Sequence, residues 1–396
     1  MELLSLNNEN GKLHYPSLLY ALVAIWPVVG FLTPLPQVVV YGAPLLYAAY
    51  SFFNRETYDK WFLALLAYIP VELFLASPPS VFQSWPRYVL FSALIMCVCP
   101  IFQGEKLRMF REHIFLCTMW ACVFLGIGSF LGWFQGWNYM TSSAIDFIEN
   151  AGWFGGLTPH SMLLGPIAGV GACFLVGKAF STKNVFWWIS AIASLFAVFF
   201  SASRSATMAA LAGITVTLYR QSGTTSNFLK VGLVTFIIAA STFSLWEGAL
   251  SGVVKKNQGT TELNFDSRQK LWEERIKDFK SSPIYGVGFC AAKISKNSII
   301  DRQSGRLESG TSWLIILSML GIVGACIVIP IFVRAFIAAY RGEEELNPVI
   351  CGVLALFFVH MFAEGYVFAG GSFMAFMLWL TVGVATDCKY KTELCD

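Results

Sequence analysis

Arg204, Arg268, Glu308 and Glu364 are the residues of this chain best suited to chemistry. They pair two guanidinium groups with two carboxylates in a sequence that is mostly apolar. An arginine offers a planar fork of donors that matches phosphate oxygens, and it stays protonated. Arg204 stands in Ser203-Arg204-Ser205-Ala206, where small neighbours leave room for a ligand. Arg268 reads as the start of a helix, where the dipole disfavours a cation unless an anion faces it. Two such arginines suggest a phosphate or pyrophosphate held without a metal, and a carboxylate would complete a transfer site. Glu308, in Leu307-Glu308-Ser309-Gly310, and Glu364, one turn beyond His360, are the candidates for a general base. The plainer reading of each is a salt bridge to Arg204, Arg268 or Arg306. Trp272, Arg275, His160 and Glu72 complete the set of candidate substrate contacts, although a lone histidine at a helix start is more often a hydrogen bonder. No Cys/His spacing matches a zinc pattern, so neither a metal nor another cofactor is expected.

The elements that must carry these residues are membrane helices. The chain is 56% hydrophobic and 13% charged, far from the usual soluble composition. About twelve apolar stretches reach spanning length: 15–33, 36–53, 61–77, 87–102, 113–134, 159–177, 184–201, 205–219, 228–247, 311–333, 348–368 and 372–387. The polar residues through Asn10 show no cleavable signal pattern, so the first span is expected to direct insertion. The expected fold is an all-α polytopic membrane protein with one long loop containing short helices. Its parts are residues 1–247 with spans one to nine, 248–310 as the loop, and 311–396 with spans ten to twelve and a tail.

Basic residues set the orientation. With the amino terminus in the cytoplasm, fourteen Lys/Arg fall on that side and only Arg87 and Arg204 in the short outer connections. Such asymmetry orients multi-pass proteins, while a 63-residue loop crosses largely regardless of its charge. Both termini are therefore expected inside, and the 248–310 loop outside. Glu72, Arg87, His160, Arg204, Glu247 and Glu364 all fall near helix ends on the loop's side. Charge near hydrocarbon is expensive and is read as functional by default. The dispersed basic residues make no nucleic-acid patch. Of ten cysteines only Cys290 lies in an outer loop, so no disulfide framework forms there.

Within the loop, Asp266 and Gln269 form a plausible capping pair. Arg268, Trp272, Arg275 and Phe279 then recur along one helical stripe, and Pro283 stops the helix. This pattern predicts a short amphipathic helix on the outer membrane surface, packed back over Arg204. Tyr285-Gly286-Val287-Gly288 reads as a tight turn. Residues 135–158, with Trp137, Tyr139, Trp153 and Phe154, read as an interfacial aromatic segment or as a groove lining for lipid or sugar. Span eight, with Ala209, Ala210, Ala212 and Gly213, should be a central, closely packed helix.

Phe200-Ser201-Ala202-Ser203-Arg204-Ser205-Ala206 resembles the Ser-x-Ser-Arg motif of bacterial O-antigen ligases and polymerases. The resemblance continues through Asp266-Ser267-Arg268, Trp272, Pro283 and Gly286-x-Gly288. It resumes at Glu308-Ser309, Trp313-Leu314, Gly321-Ile322-Val323-Gly324 and Glu364-Gly365-Tyr366, covering about residues 185–387. It implies a metal-independent glycosyltransferase that takes a glycan from an undecaprenyl-pyrophosphate carrier at the periplasmic face of the bacterial inner membrane. It also implies that Arg204 and Arg268 bind the pyrophosphate and that residues before span ten activate the acceptor hydroxyl. Ligases of the family place a histidine there, in a His-Asn pattern, whereas this chain has Glu308-Ser309-Gly310. That departure favours the polymerase branch.

The resulting expectation is a polymerase of O-antigen, capsule or exopolysaccharide, joining one lipid-linked repeat to a sugar hydroxyl of another. Membrane lipid surrounds it, with a chain-length regulator or a flippase as candidate partners. A ligase that transfers to lipid A core or protein is the alternative within the same class. A transporter or flippase for lipid-linked glycans is the rival from another class. Transporters place polar sites near the midplane, and here the deep midplane carries almost no charge.

Overall fold

Apolar runs punctuated by polar caps make twelve helices among the described residues. The computed structural model describes residues 15–140, 154–223, 263–293, 300–301, 306–307 and 310–395. The predicted span 228–247, Trp153, Glu308 and parts of 248–310 (248–262, 294–299, 302–305 and 308–309) lie outside them. In chain order the helices are α1 (Tyr15–Ile25), α2 (Gln37–Phe53), α3 (Lys60–Ala76), α4 (Ser84–Val98), α5 (Glu105–Gln135) and α6 (Ser161–Thr182). They continue as α7 (Val185–Phe200), α8 (Arg204–Ser222), α9 (Leu263–Ser281), α10 (Ser312–Arg341), α11 (Asn347–His360) and α12 (Phe373–Cys395). Two-residue antiparallel pairs, Thr57–Tyr58 with Phe102–Gln103 and Ile300–Asp301 with Arg306–Leu307, are the strands described. Four segments are long and apolar enough to cross a membrane: Ser80–Val98, Glu105–Gln135, Ser161–Thr182 and Ser312–Arg341.

Small residues set the centre of the bundle. Gly165 and Gly169 on α6 abut Ala206 and Ala210 on α8, and Gly213 on α8 abuts the backbone of Gly352 on α11. Such contacts bring helix axes close where lipid gives no hydrophobic drive between helices. They also fix register: α6 and α8 run parallel, and α11 runs antiparallel to both.

The helix α10 is folded back on itself. Gly321 has φ 65° and ψ −168°, which are not helical values. Trp313, before the break, packs its ring 6.0 Å from that of Phe332, beyond it. In an unbroken helix those residues would stand about 28 Å apart. Of the thirty residues, the arm from Gly321 to Arg341 has the length to cross hydrocarbon, at about 30 Å. The span expected over 311–333 therefore contains a break at Gly321.

A break of this kind exposes carbonyl and amide groups that need partners. The turn after α9 supplies them. Ser318 O and Met319 O, which would accept from Ile322 and Val323 in a continuous helix, accept from Val287 N (2.9 Å) and Gly288 N (3.3 Å). Ile322 N and Val323 N donate instead to Pro283 O (2.8 Å) and Ile284 O (3.1 Å). Tyr68 Oη donates to Leu320 O at 2.8 Å.

The opposite end of the bundle holds ion pairs that the sequence reading assigned to a cytoplasmic surface. Arg111 and Asp387 are both buried and form a bidentate pair at 2.6 and 2.9 Å. Arg334 pairs with Asp59 at 2.6 Å, and Asp59 also caps α3. Buried charge is thus not confined to the loop end.

Candidate functional site

Helix register gathers three of the candidates at one level. Arg204 lies nine residues before Gly213 on α8, and Met361 lies nine residues after Gly352 on the antiparallel α11, so both reach the same height. His160 lies five residues before Gly165, and Ser201 five before Ala206, which puts His160 level with the Ser201–Arg204 turn. Glu364 follows Met361 by one turn. Arg204, His160 and Glu364 therefore share the end of the α6/α8/α11 core.

Each is held by its local backbone. Ser203 caps α8, its Oγ accepting from Ala206 N at 3.4 Å, and Ala202 takes a left-handed φ of 51° to enter the helix. Arg204 is then the first helical residue, where a cation works against the dipole by about 0.3–1 kcal/mol. His160 caps α6, its Nδ1 accepting from Met162 N at 3.0 Å. Glu364 lies past the end of α11, and its carbonyl accepts from Ser312 N (3.0 Å) and Ser312 Oγ (2.7 Å). Ser312 Oγ in turn accepts from Tyr366 N at 3.0 Å. Fully buried Ser312 thus ties the start of α10 to the Glu364 turn. The sequence reading missed that role, and only the adjacency of Ser312 to the Trp313-Leu314 motif hinted at it. Glu308 lies outside the described residues, four positions before this junction.

The helix α9 connects this level with the break in α10. At its middle, Leu271 and Trp272 lie against Gly310; past its end, residues 283–288 lie against the break. It therefore runs alongside the first arm of α10. Its bounds correct one expectation: α9 starts at Leu263, so Asp266 is inside the helix and is no cap. Arg268 is likewise beyond the first turn, so the dipole argument made for it applies to Arg204 instead. Arg268 is placed by its backbone, one turn before Trp272.

The expected stripe also divides. The buried face of α9 is Leu271, Arg275 and Asp278, while Trp272 is 41% exposed. Arg275 is only 1% exposed and pairs with Asp278 at 3.1 Å. Burial lowers the Arg275 pKa, and burial raises that of Asp278 against the pull of the same arginine. Asp278 Oδ1 accepts from Lys293 N at 3.3 Å, fastening α9 to the segment beyond the turn.

Glu72 stands apart from Arg204. It is fully buried on α3 at the height of the α10 break, and its Oε2 accepts from Phe289 N at 3.0 Å. Nearby, burial pushes the Cys290 thiol up to about 12, with the Arg87 guanidinium opposing. Of the aromatic segment 135–158, Phe154 lies edge-on to Trp133 at 4.9 Å, and Trp133 stacks on Phe200 at 4.3 Å, forming a wall beside the Ser201–Arg204 turn. Trp137 and Tyr139 are exposed.

Among the described residues no group of three His, Cys, Asp or Glu side chains is arranged to hold a metal ion. The arrangement can offer an anion site at the head of α8 and carboxylates near it. No curated protein matches the chain. Residues 189–329, from α7 into the second arm of α10, match the O-antigen ligase family model and include Arg204, Arg268, Glu308 and the Gly321 break. That match supports an O-antigen ligase/polymerase assignment for this segment.

Proposed function

We propose that the protein polymerises undecaprenyl-pyrophosphate-linked oligosaccharides at the periplasmic face of the bacterial inner membrane. The observation that carries this reading is the shared level of Arg204, His160 and Glu364, with the Glu364 turn tied to the start of α10. A hydroxyl oxygen of one lipid-linked unit attacks the anomeric carbon of another. The bond from that carbon to the pyrophosphate oxygen breaks, and the electron pair leaves with undecaprenyl pyrophosphate. Arg204 and Arg268 stabilise the charge developing on the departing group. Glu308 or Glu364 takes the hydroxyl proton. His160 and Trp272 line the approach, whereas Arg275, buried against Asp278, does not reach it. A single displacement inverts the anomeric centre.

Three further features support the reading. The family match spans both arginines. The cation at the first turn of α8 is best explained by an anionic partner. The distribution of basic residues favours 248–310 outside and both termini inside. Because the matched family is described as O-antigen ligase, transfer to lipid A core or a protein is the second reading.

Arg204→Lys and Arg268→Lys test the mechanism, because lysine keeps the charge but loses the bidentate fork. Each should lower turnover about 30- to 1000-fold, corresponding to roughly 2–4 kcal/mol. Near wild-type turnover at equal abundance would assign that arginine to structure.

A further inference from the structure

We infer that Glu72 is a positioning residue whose carboxylate holds the Gly286–Cys290 turn in the break of α10, setting where α9 carries Arg268. The inference rests on the proposed role of Arg268 as a pyrophosphate ligand.

The turn has local bonds, from Gly286 N to Ser282 O and from Ala291 N to Gly288 O, and is further anchored from outside. Gly286, Gly288 and Cys290 have φ values of 86°, 117° and 55°, so three of its five residues are left-handed. Its amides reach outward: Val287 and Gly288 to carbonyls of α10, and Phe289 to Glu72 Oε2 at 3.0 Å. A side chain at Gly286 would overlap the Met319 carbonyl, so the turn lies directly on the α10 backbone. Glu72 holds it from α3. Tyr68, one turn earlier on α3, donates to Leu320 O and fixes the other strand of the junction.

A carboxylate with no exposed surface is costly to place, and its Oε1 has no partner. Packing alone would favour an apolar residue here. What an apolar residue cannot do is accept from Phe289 N. The consequence reaches Arg268 because α9 is rigid. From Ser281 back to Arg268 is about 20 Å of helix, anchored at the turn and again where Leu271 meets Gly310. Releasing one anchor lets the far end shift, and a misplacement of about 1 Å is enough to cost roughly 100-fold in rate.

The test combines turnover with amide hydrogen exchange on full-length protein in detergent. Glu72→Leu should speed exchange over 283–290 and 318–323 at least ten-fold and lower kcat at least ten-fold, with KM changed less. Glu72→Gln keeps a carbonyl acceptor and should restore both readouts to within about three-fold of wild type. Should the leucine variant fail to fold, Glu72→Asp draws the acceptor back by one methylene and should give intermediate values of both. Faster exchange with full turnover would overturn the inference, as would unchanged exchange in Glu72→Leu. Inactive Glu72→Gln with a protected turn would place Glu72 on the substrate instead. If wild-type protein transfers no glycan while the exchange results hold, the catalytic reading fails and the grip of Glu72 on the turn stands.

Discussion

Replacing Gly321 with alanine distinguishes a folded-back α10 from a straight one by the sign of its effect. In a continuous helix, Gly→Ala stabilises by about 1 kcal/mol. In the structure Gly321 sits at φ 65° and ψ −168°, a region open essentially to glycine alone and costing an L-residue about 1–3 kcal/mol. A Cβ there would also overlap the Ile284 carbonyl, a backbone atom that cannot swing aside. Displacing it loosens the bonds from Val323 N to Ile284 O and from Ile322 N to Pro283 O, worth about 1 kcal/mol each. The sum is a destabilisation of about 3–5 kcal/mol. Thermal unfolding of the detergent-purified variant, followed by tryptophan fluorescence, should show Tm lowered by roughly 5 °C or more. A Tm equal to or above that of wild type would refute the break and the account of the turn that fills it.

The buried pair Arg111–Asp387 should behave as a pair. Removing one partner, as Arg111→Met or Asp387→Leu, should cost about 3–5 kcal/mol, and the double variant less than either; additive losses by the same unfolding assay would show the charges to be independent. Glycan transfer should continue in EDTA, and activity that disappears with chelator and returns with magnesium or manganese would require a metal. A Lys255→Cys variant should react with a membrane-impermeant thiol reagent in intact spheroplasts, whereas reaction only after lysis would put the 248–310 loop on the cytoplasmic side.

Features that depend on neighbours in sequence were legible in it. The small-residue face of α8 and the tight turn at Gly286 follow from local chemistry, and the structure describes each. The break at Gly321 was not legible, because its apolar context scores as one helix and the groups that satisfy it come from residues 283–288 and Tyr68. The course of α9 was hidden for a related reason: its buried face is shifted by one residue from the aromatic stripe, since Arg275 finds Asp278 inside the protein. Arg111 is one of the fourteen basic residues counted on the cytoplasmic side, and only the packing of α5 against α12 reveals Asp387 as its partner. In the candidate site, Arg204, His160 and Glu364 were named from sequence, but their common level depends on the glycine contacts among α6, α8 and α11. Glu72 was read as a substrate contact because intramembrane charge suggests function, whereas its partner in the fold is a backbone amide.

The central claim is glycosyl transfer between lipid-linked units, and purified protein given one defined undecaprenyl-pyrophosphate-linked repeat tests it most directly. With products resolved by size, the account predicts a ladder of longer lipid-linked chains that is lost in Arg204→Lys and Arg268→Lys. No ladder from repeats alone, with a single product once lipid A core or a protein acceptor is added, would contradict polymerisation and identify a ligase.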